Sequence, residues 1–509
     1  MTRKLLTFLT LISLSVFLSA QTLEDKLVNR LKRYALEYTC SSYDGEGVPS
    51  TCGQTVLAKK LKQELRDMGI EDAEVDDHSY VYATIKGNVK NAPAVFLSAH
   101  LDTTPDAEFN TKEPMIHVYN YNGGDLVINR ELGLILTEEN TEFLSEAKGG
   151  KIITSNGETL LGGDDKAGMA IVMTLAETFA KNPNLPHGDI RIIFTPDEEI
   201  GNSTSYLSKE NIKADFGLVL DSHGFGRIVV ENFNATDFSL YVKGVSGFPG
   251  RNPLPTPLDI ILDFASNFPQ EKAAYKSSGM EGYISLHSVK NIDDGIMARG
   301  RLRSFDLAEM AEYKKLVKQL AYKTAQKAQN DYTKAKEKNP DYKNIKDLKY
   351  ITVINGVESE AYSDKDPVVI LTMKDSYFNA KEVLNKYPTF YKLIEESYAK
   401  VGVKMYPESS RGGSDACDIT YMGVPTYNIF TGAHNEHRRD EWVSSKQMVA
   451  SYNVVYEDLI AMGQQDRTKM LQEGQEHGEV INPAQLITPN FQDIYQQISD
   501  KYATALSNF

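Results

Sequence analysis

Cysteine is scarce in this chain: three residues in 509, beside a single tryptophan. Three thiols cannot build a disulfide framework, so stability must come from apolar burial. Positive charge is also short, with 55 Lys+Arg against 70 Asp+Glu and a net charge of −15. A surface of that sign does not suit a phosphate backbone, which excludes nucleic acid as a main partner. Past residue 21 no apolar run approaches the roughly 20 residues that cross a bilayer, so no membrane partner is expected. No internal repeat is evident. What remains is ordinary globular composition, 41 % hydrophobic and 25 % charged, in enough chain for roughly two to four domains.

The first 20 residues are different. Arg3 and Lys4 precede an apolar stretch, Leu5 to Phe17, and Leu18-Ser19-Ala20 ends in small residues. That order is the one a secretory signal peptide takes, with cleavage before Gln21, and it predicts an exported, periplasmic or secreted, protein. No cysteine follows the small residues, so lipid attachment is not indicated. Cys40 and Cys52 flank a Ser/Gly/Asp/Pro loop. A bridge between them and three unpaired thiols stand equally open on spacing alone.

From residue 22 to 220 helical and strand patterns alternate. Leu23–Tyr38, Thr55–Met68 and Gly168–Ala180 carry helical spacing. Ala94–Leu97, Ile190–Phe194 and Leu218–Leu220 are short apolar runs between turn residues. The alternation predicts an α/β sheet with helices on both faces. Past residue 238 the texture changes to a strand over 238–244, a helix over 258–268, strands near 283–286 and 296–303, and a long helix over 307–335. These predict a smaller α+β domain inserted into the first. The predicted division is a leader at 1–20, a first domain at 21–238 and 385–463, an insertion at 239–384 and an extension at 464–509. Lys336 to Lys349 reads as a solvated insertion, and a short final helix is predicted at Phe491–Leu506.

Four segments concentrate acids and histidines near the ends of predicted strands: Ser98-Ala99-His100-Leu101-Asp102, Gly162-Gly163-Asp164-Asp165-Lys166, Thr195-Pro196-Asp197-Glu198-Glu199 and Asp221. Sites in open α/β sheets form beyond the carboxyl ends of the strands, where these groups can converge. So many carboxylates together are costly without countercharge, and one or two divalent cations are the natural remedy. An imidazole among carboxylates suits zinc, manganese or cobalt better than magnesium or calcium.

Extended to 98–106, 160–168 and 194–201, these segments resemble the metal motifs of the peptidase T branch of the co-catalytic dizinc exopeptidases, a family that also holds carboxypeptidase G2-like enzymes. The similarity continues through His187–Arg191, Glu231–Ala235, Ser410–Asp415 and Asn428–Gly432 and spans about residues 22 to 460. The resemblance implies a zinc-exopeptidase-like α/β/α catalytic domain with an inserted α+β lid or dimerisation domain. It implies two divalent ions, with zinc expected: His100 and Asp221 on one, Glu199 and His437 on the other, and Asp164 bridging. Asp102 would orient His100, Glu198 would be the general base, and Arg411 would meet the substrate. By spacing from Phe430-Thr431-Gly432 the family's last ligand falls on His437 rather than His434.

The implied activity is release of the N-terminal residue from short peptides, tripeptides above all, with a homodimer formed through the inserted domain. The alternatives are the same chemistry on dipeptides or N-acyl amino acids, or a weakened peptide-binding homologue. Two departures stand out. Phe248 replaces the histidine that the family places before Pro-Gly as an oxyanion donor, leaving Arg251 as one candidate substitute. The leader is the second, because enzymes of this branch are generally cytoplasmic.

Overall fold

The computed structural model describes residues 21–107, 114–245, 254–292, 295–339, 342–359 and 366–476. The leader, Phe248, Arg251 and the helix expected at 491–506 all lie outside the described residues.

The fold is mixed α/β, built on an eight-stranded sheet. Its strands run in the order Glu74–Val75, Val81–Ile85, Ile190–Thr195, Val95–His100, Phe216–Ser222, Thr426–Phe430, Arg227–Asn232 and Tyr406–Ser410. The four central strands, from Ile190–Thr195 to Thr426–Phe430, are mutually parallel. Their carboxyl ends therefore open on one edge, as the βαβ alternation predicts.

Side-chain alternation divides the sheet between two cores. Val95, Leu97 and Ala99 join Leu218 and Leu220 in the larger one, beneath the helices Leu23–Ala35, Gly163–Lys181, Pro388–Val401 and Ser445–Met462. Phe96, Ile193 and Val219 face the other way, against Ile212, Ala416 and Ile419 of two short helices.

The first helix shows how local sequence sets a boundary. The Thr22 hydroxyl accepts the Asp25 amide at 3.1 Å, Glu24 and Asp25 occupy the first turn, and Lys32 and Arg33 the last. Each choice favours the helix dipole or satisfies a free donor, while Leu27, Leu31 and Tyr34 bury one stripe. The Gly163–Lys181 helix is different, being buried along most of its length. Gly168 lets it lie close on the sheet, since a Cβ there would come within 2.0 Å of the Leu220 carbonyl oxygen. That approach brings the non-helical turn at Asp164 and Asp165, just ahead of the regular helix, beside the strand that carries Asp221.

Residues 234–377 hold a second, six-stranded sheet in the order Tyr283–Ile292, Gly295–Ser304, Asn234–Lys243, Val368–Tyr377, Lys349–Ile354 and Val357–Glu358. It is antiparallel except where Lys349–Ile354 runs parallel to Val368–Tyr377. Phe238, Leu240, Val242, Leu302 and Leu371 form its core with the helices Pro257–Ser266 and Leu307–Lys338. The stretch read as a solvated insertion begins within the end of the long helix and finishes at the first residue of the Lys349–Ile354 strand. The extension expected at 464–509 contains a helix, Arg467–Glu476, tied down by Glu473, which accepts the Thr389 amide at 3.2 Å. Cys40, Cys52 and Cys417 are all free thiols.

Candidate metal centre

Strand alternation aims the first two groups. His100 ends its strand on the face of Phe96 and Ser98, and Asp221 shares that face with Val219 on the adjoining parallel strand. His100 Nε2 lies 2.8 Å from Asp164 Oδ1 and 3.6 Å from Asp221 Oδ1. On the other side of Asp164, Oδ2 lies 3.2 Å from His437 Nε2, and that same nitrogen is 2.9 Å from Glu199 Oε1. Donor atoms of His100, Asp164 and Asp221 fall within 4.8 Å of one another, as do those of Asp164, Glu199 and His437. Two triads thus share one carboxylate, with one of its oxygens turned toward each. His434 lies apart, buried and stacked on Trp442 at 4.0 Å with Nε2 on Gln447 Oε1.

Three buried carboxylates face backbone amides. Asp102 takes the amides of Glu198 at 3.0 Å and Glu199 at 3.2 Å, while its Oδ1 also stands 3.3 Å from His100 Nδ1, long for a hydrogen bond. Asp165 accepts the amides of Gly168 at 3.0 Å and His100 at 3.3 Å. Glu441 accepts those of Gly162 at 2.9 Å and Asp164 at 3.0 Å. Lys166, fully buried, donates to Thr39 Oγ1 at 2.8 Å and to the Leu101 carbonyl at 2.6 Å. Asp197, next to Glu198, takes a left-handed φ of 55° and is held by the Ser50 amide at 2.6 Å and by Gln54.

The electrostatics are those of a carboxylate surplus. Burial, then the charge of Asp164, pushes Asp221 up to about 7. Burial and Asp221 push Glu198 well above the usual range, and burial and Asp164 raise Glu199. Burial disfavours the charged form of both imidazoles, yet the neighbouring carboxylates of Asp102, Asp164 and Asp221 raise His100, and those of Asp164 and Glu199 raise His437 to about 11. Asp164 is lowered, because those two imidazoles outweigh its burial. The cluster therefore attracts protons to offset negative charge, and divalent ions at the two triads would supply the same compensation. Mixed imidazole and carboxylate donors fit such ions.

The cleft over this cluster is lined by Glu198, His223, Asn428, Ser410, Gly413 and Cys417, among others. Arg411, read as a substrate group, donates from Nη1 to the carbonyls of Gly279 at 2.7 Å and Glu281 at 3.0 Å, and from Nη2 to Ser277 Oγ at 2.6 Å. Its guanidinium also lies over Phe233 at 5.0 Å and Tyr283 at 5.7 Å. It joins the two sheets' domains. Sequence reasoning assigned no role to Lys166, although it stands in the Gly162–Lys166 segment, and did not point to Glu441 or Gln54. The only local signal for Glu441 was an acid directly before the apolar Trp442-Val443 pair.

Residues 157–460 match the family described as Peptidase family M20/M25/M40. A relative named Peptidase T from Geobacillus kaustophilus (strain HTA426) is 31 % identical over 438 residues, which cover 86 % of this chain and 98 % of the relative. Peptidase T of Halothermothrix orenii is 33 % identical over 433 residues, covering 84 % and 97 %. The solved structure of a Staphylococcus aureus tripeptidase overlays with a TM-score of 0.60 at 18 % identity, covering 87 % of this chain and 100 % of that one.

The expectation of export is corrected by these matches. The relatives are Peptidase T proteins, the branch whose members are generally cytoplasmic, and export is withdrawn. The physical reason lies in the signal. A short basic, then apolar, then small-residue order is an address read by a receptor and constrains no packing, so composition alone carried it. Among the described residues no helix is long and apolar enough to cross a membrane.

Proposed function

The chain belongs to peptidase family M20/M25/M40, and from that premise we propose that it is a metal-dependent aminopeptidase of short peptides, releasing the N-terminal residue of tripeptides. The observation that carries the reading is Asp164, one oxygen 2.8 Å from His100 and the other 3.2 Å from His437. The substrate class is supported by the Peptidase T relatives and the tripeptidase of similar fold.

On this reading His100, Asp164 and Asp221 would hold one divalent ion, and Asp164, Glu199 and His437 the other. Zinc suits imidazole with carboxylate. When bound, such a pair polarises a peptide carbonyl and acidifies water. Glu198 is the general base: its carboxylate lines the cleft, takes the proton of the attacking water and returns it to the departing amine. Asp102 fixes the peptide on both sides of Glu198, so that its side chain and that of Glu199 keep separate tasks. Arg411 ties residues 277–281 to the chain next to Ser410 and Gly412, which line the cleft. The Tyr283–Ile292 strand ends its sheet, bridged among the described residues by Ala273 at Ile284, with Val289 53 % exposed, and an edge of that kind supports a homodimer through the inserted domain.

The test is a panel of di-, tri- and tetrapeptides with free or blocked termini, alongside metal analysis. Tripeptides with a free amino terminus should be cleaved fastest, and blocking the amine should abolish turnover. Measurable peptide affinity with no cleavage of any member would reverse the reading in favour of a binding protein.

A further inference from the structure

Glu441 belongs to neither triad, yet it is 1 % exposed and both of its carboxylate oxygens are engaged by backbone amides of the loop that bears Asp164. Four residues earlier on the same turn, His437 faces Asp164 Oδ2, and the turn is closed by the Glu441 amide on the Arg438 carbonyl at 3.2 Å. One segment therefore grips the Asp164 loop twice, through a side chain at the shared carboxylate and through Glu441 at the peptide behind it. The fit is close. A Cβ on Gly163 would stand 3.0 Å from Glu441 Oε1 and 2.6 Å from Val443 Cγ2.

Resting on the two-ion reading above, we propose that Glu441 is a positioning residue. It sets the placement of Asp164 relative to His437, and through it the spacing of the two metal positions. A bidentate acceptor defines both the height and the rotation of the Gly162–Asp164 backbone, whereas one acceptor leaves rotation free. Glu441→Gln keeps the volume but turns an NH2 group toward one of the two amides, so one contact becomes repulsive. Glu441→Asp keeps both acceptors on a shorter stem.

Co2+ is titrated into the metal-free wild type, Glu441→Gln and Glu441→Asp, with binding read by calorimetry and visible absorption, and folding read by thermal melting. Two ions should bind the wild type. In Glu441→Gln at least one should bind roughly 10–100-fold more weakly, with an altered absorption spectrum, while Glu441→Asp recovers part of the affinity. If Glu441→Gln does not fold, Glu441→Asp alone should still show weakened binding. Wild-type affinities and spectra in every folded variant would overturn the assignment of Glu441 and leave the two-ion reading intact. No uptake by the wild type itself would overturn that reading, and the role of Glu441 with it.

Discussion

Asp102 accepts the backbone amide of Glu198 at 3.0 Å, and its second oxygen takes that of Glu199 at 3.2 Å. The carboxylate assigned from sequence to orient His100 therefore also fixes the turn that presents the proposed base. Glu198→Gln should retain both metals and fold normally while losing about 10²–10⁴-fold in kcat. Asp102→Asn should lose less, because the amide keeps one acceptor but opposes the other N–H. Turnover and metal content measured together check both; near-normal turnover in Glu198→Gln would move the base elsewhere.

Metal removal should cost stability as well as activity. Asp164, Asp221, Glu198 and Glu199 crowd the edge of the main sheet, and bound cations relieve their repulsion. Ligand at a hundredfold its Kd stabilises by about 2.7 kcal/mol. Chelation should abolish hydrolysis and lower the melting temperature of the protein, and zinc should restore both. An unchanged melt on chelation would mean that the cluster does not bind ions tightly.

Arg411 spends its donors on Ser277, Gly279 and Glu281. Arg411→Ala should loosen the inserted domain, raise KM several-fold and increase the radius of gyration in solution scattering. Arg411→Lys should rescue poorly, since an ammonium cannot span the same fork or stack on Phe233 and Tyr283. A KM change with unaltered scattering would point to direct substrate contact instead.

Asp458 is fully buried in the Ser445–Met462 helix, and neither of its oxygens has a hydrogen-bond partner among the described residues. Burial pushes it from 3.8 up to about 8. Between those values the folded state keeps a proton that the unfolded state has released, so its contribution to stability falls as pH rises. Asp458→Asn should therefore raise the melting temperature near pH 8, by the equivalent of a few kcal/mol. The gain should vanish as pH falls toward 3.8. Melts of both proteins across that range check the sign, and a gain that persists at low pH would assign it to packing.

Particular residues show where the sequence was legible. The helices at 23–35 and 307–338 and the strands at 190–195 and 295–304 announced themselves because period and capping are local. His100, Asp102, Asp164, Glu198 and Glu199 could be picked out because each follows or precedes an apolar strand or helix within a few residues. Thr426–Phe430 and Tyr406–Ser410 were not read as strands, since their place in the sheet depends on partners about 200 residues away. Glu441 and Lys166 stayed hidden for the same reason. Glu441 meets backbone amides, and Lys166 a backbone carbonyl and the Thr39 hydroxyl, partners that residue type does not announce. Arg411 was expected at the substrate from the family resemblance, and what its guanidinium meets depended on the path of residues 277–281.

By itself, then, the sequence determined which segments alternate, which acids and imidazoles stand at strand ends, and the family to which the pattern belongs. Only the tertiary structure decided that Asp164 turns one oxygen to each imidazole, that Asp102, Asp165 and Glu441 hold amides, and that Arg411 ties the two sheets together. Local pattern follows from backbone sterics and side-chain period, which neighbours impose. Convergence of groups from distant segments follows from burying both faces of one sheet, and no stretch of chain records that alone.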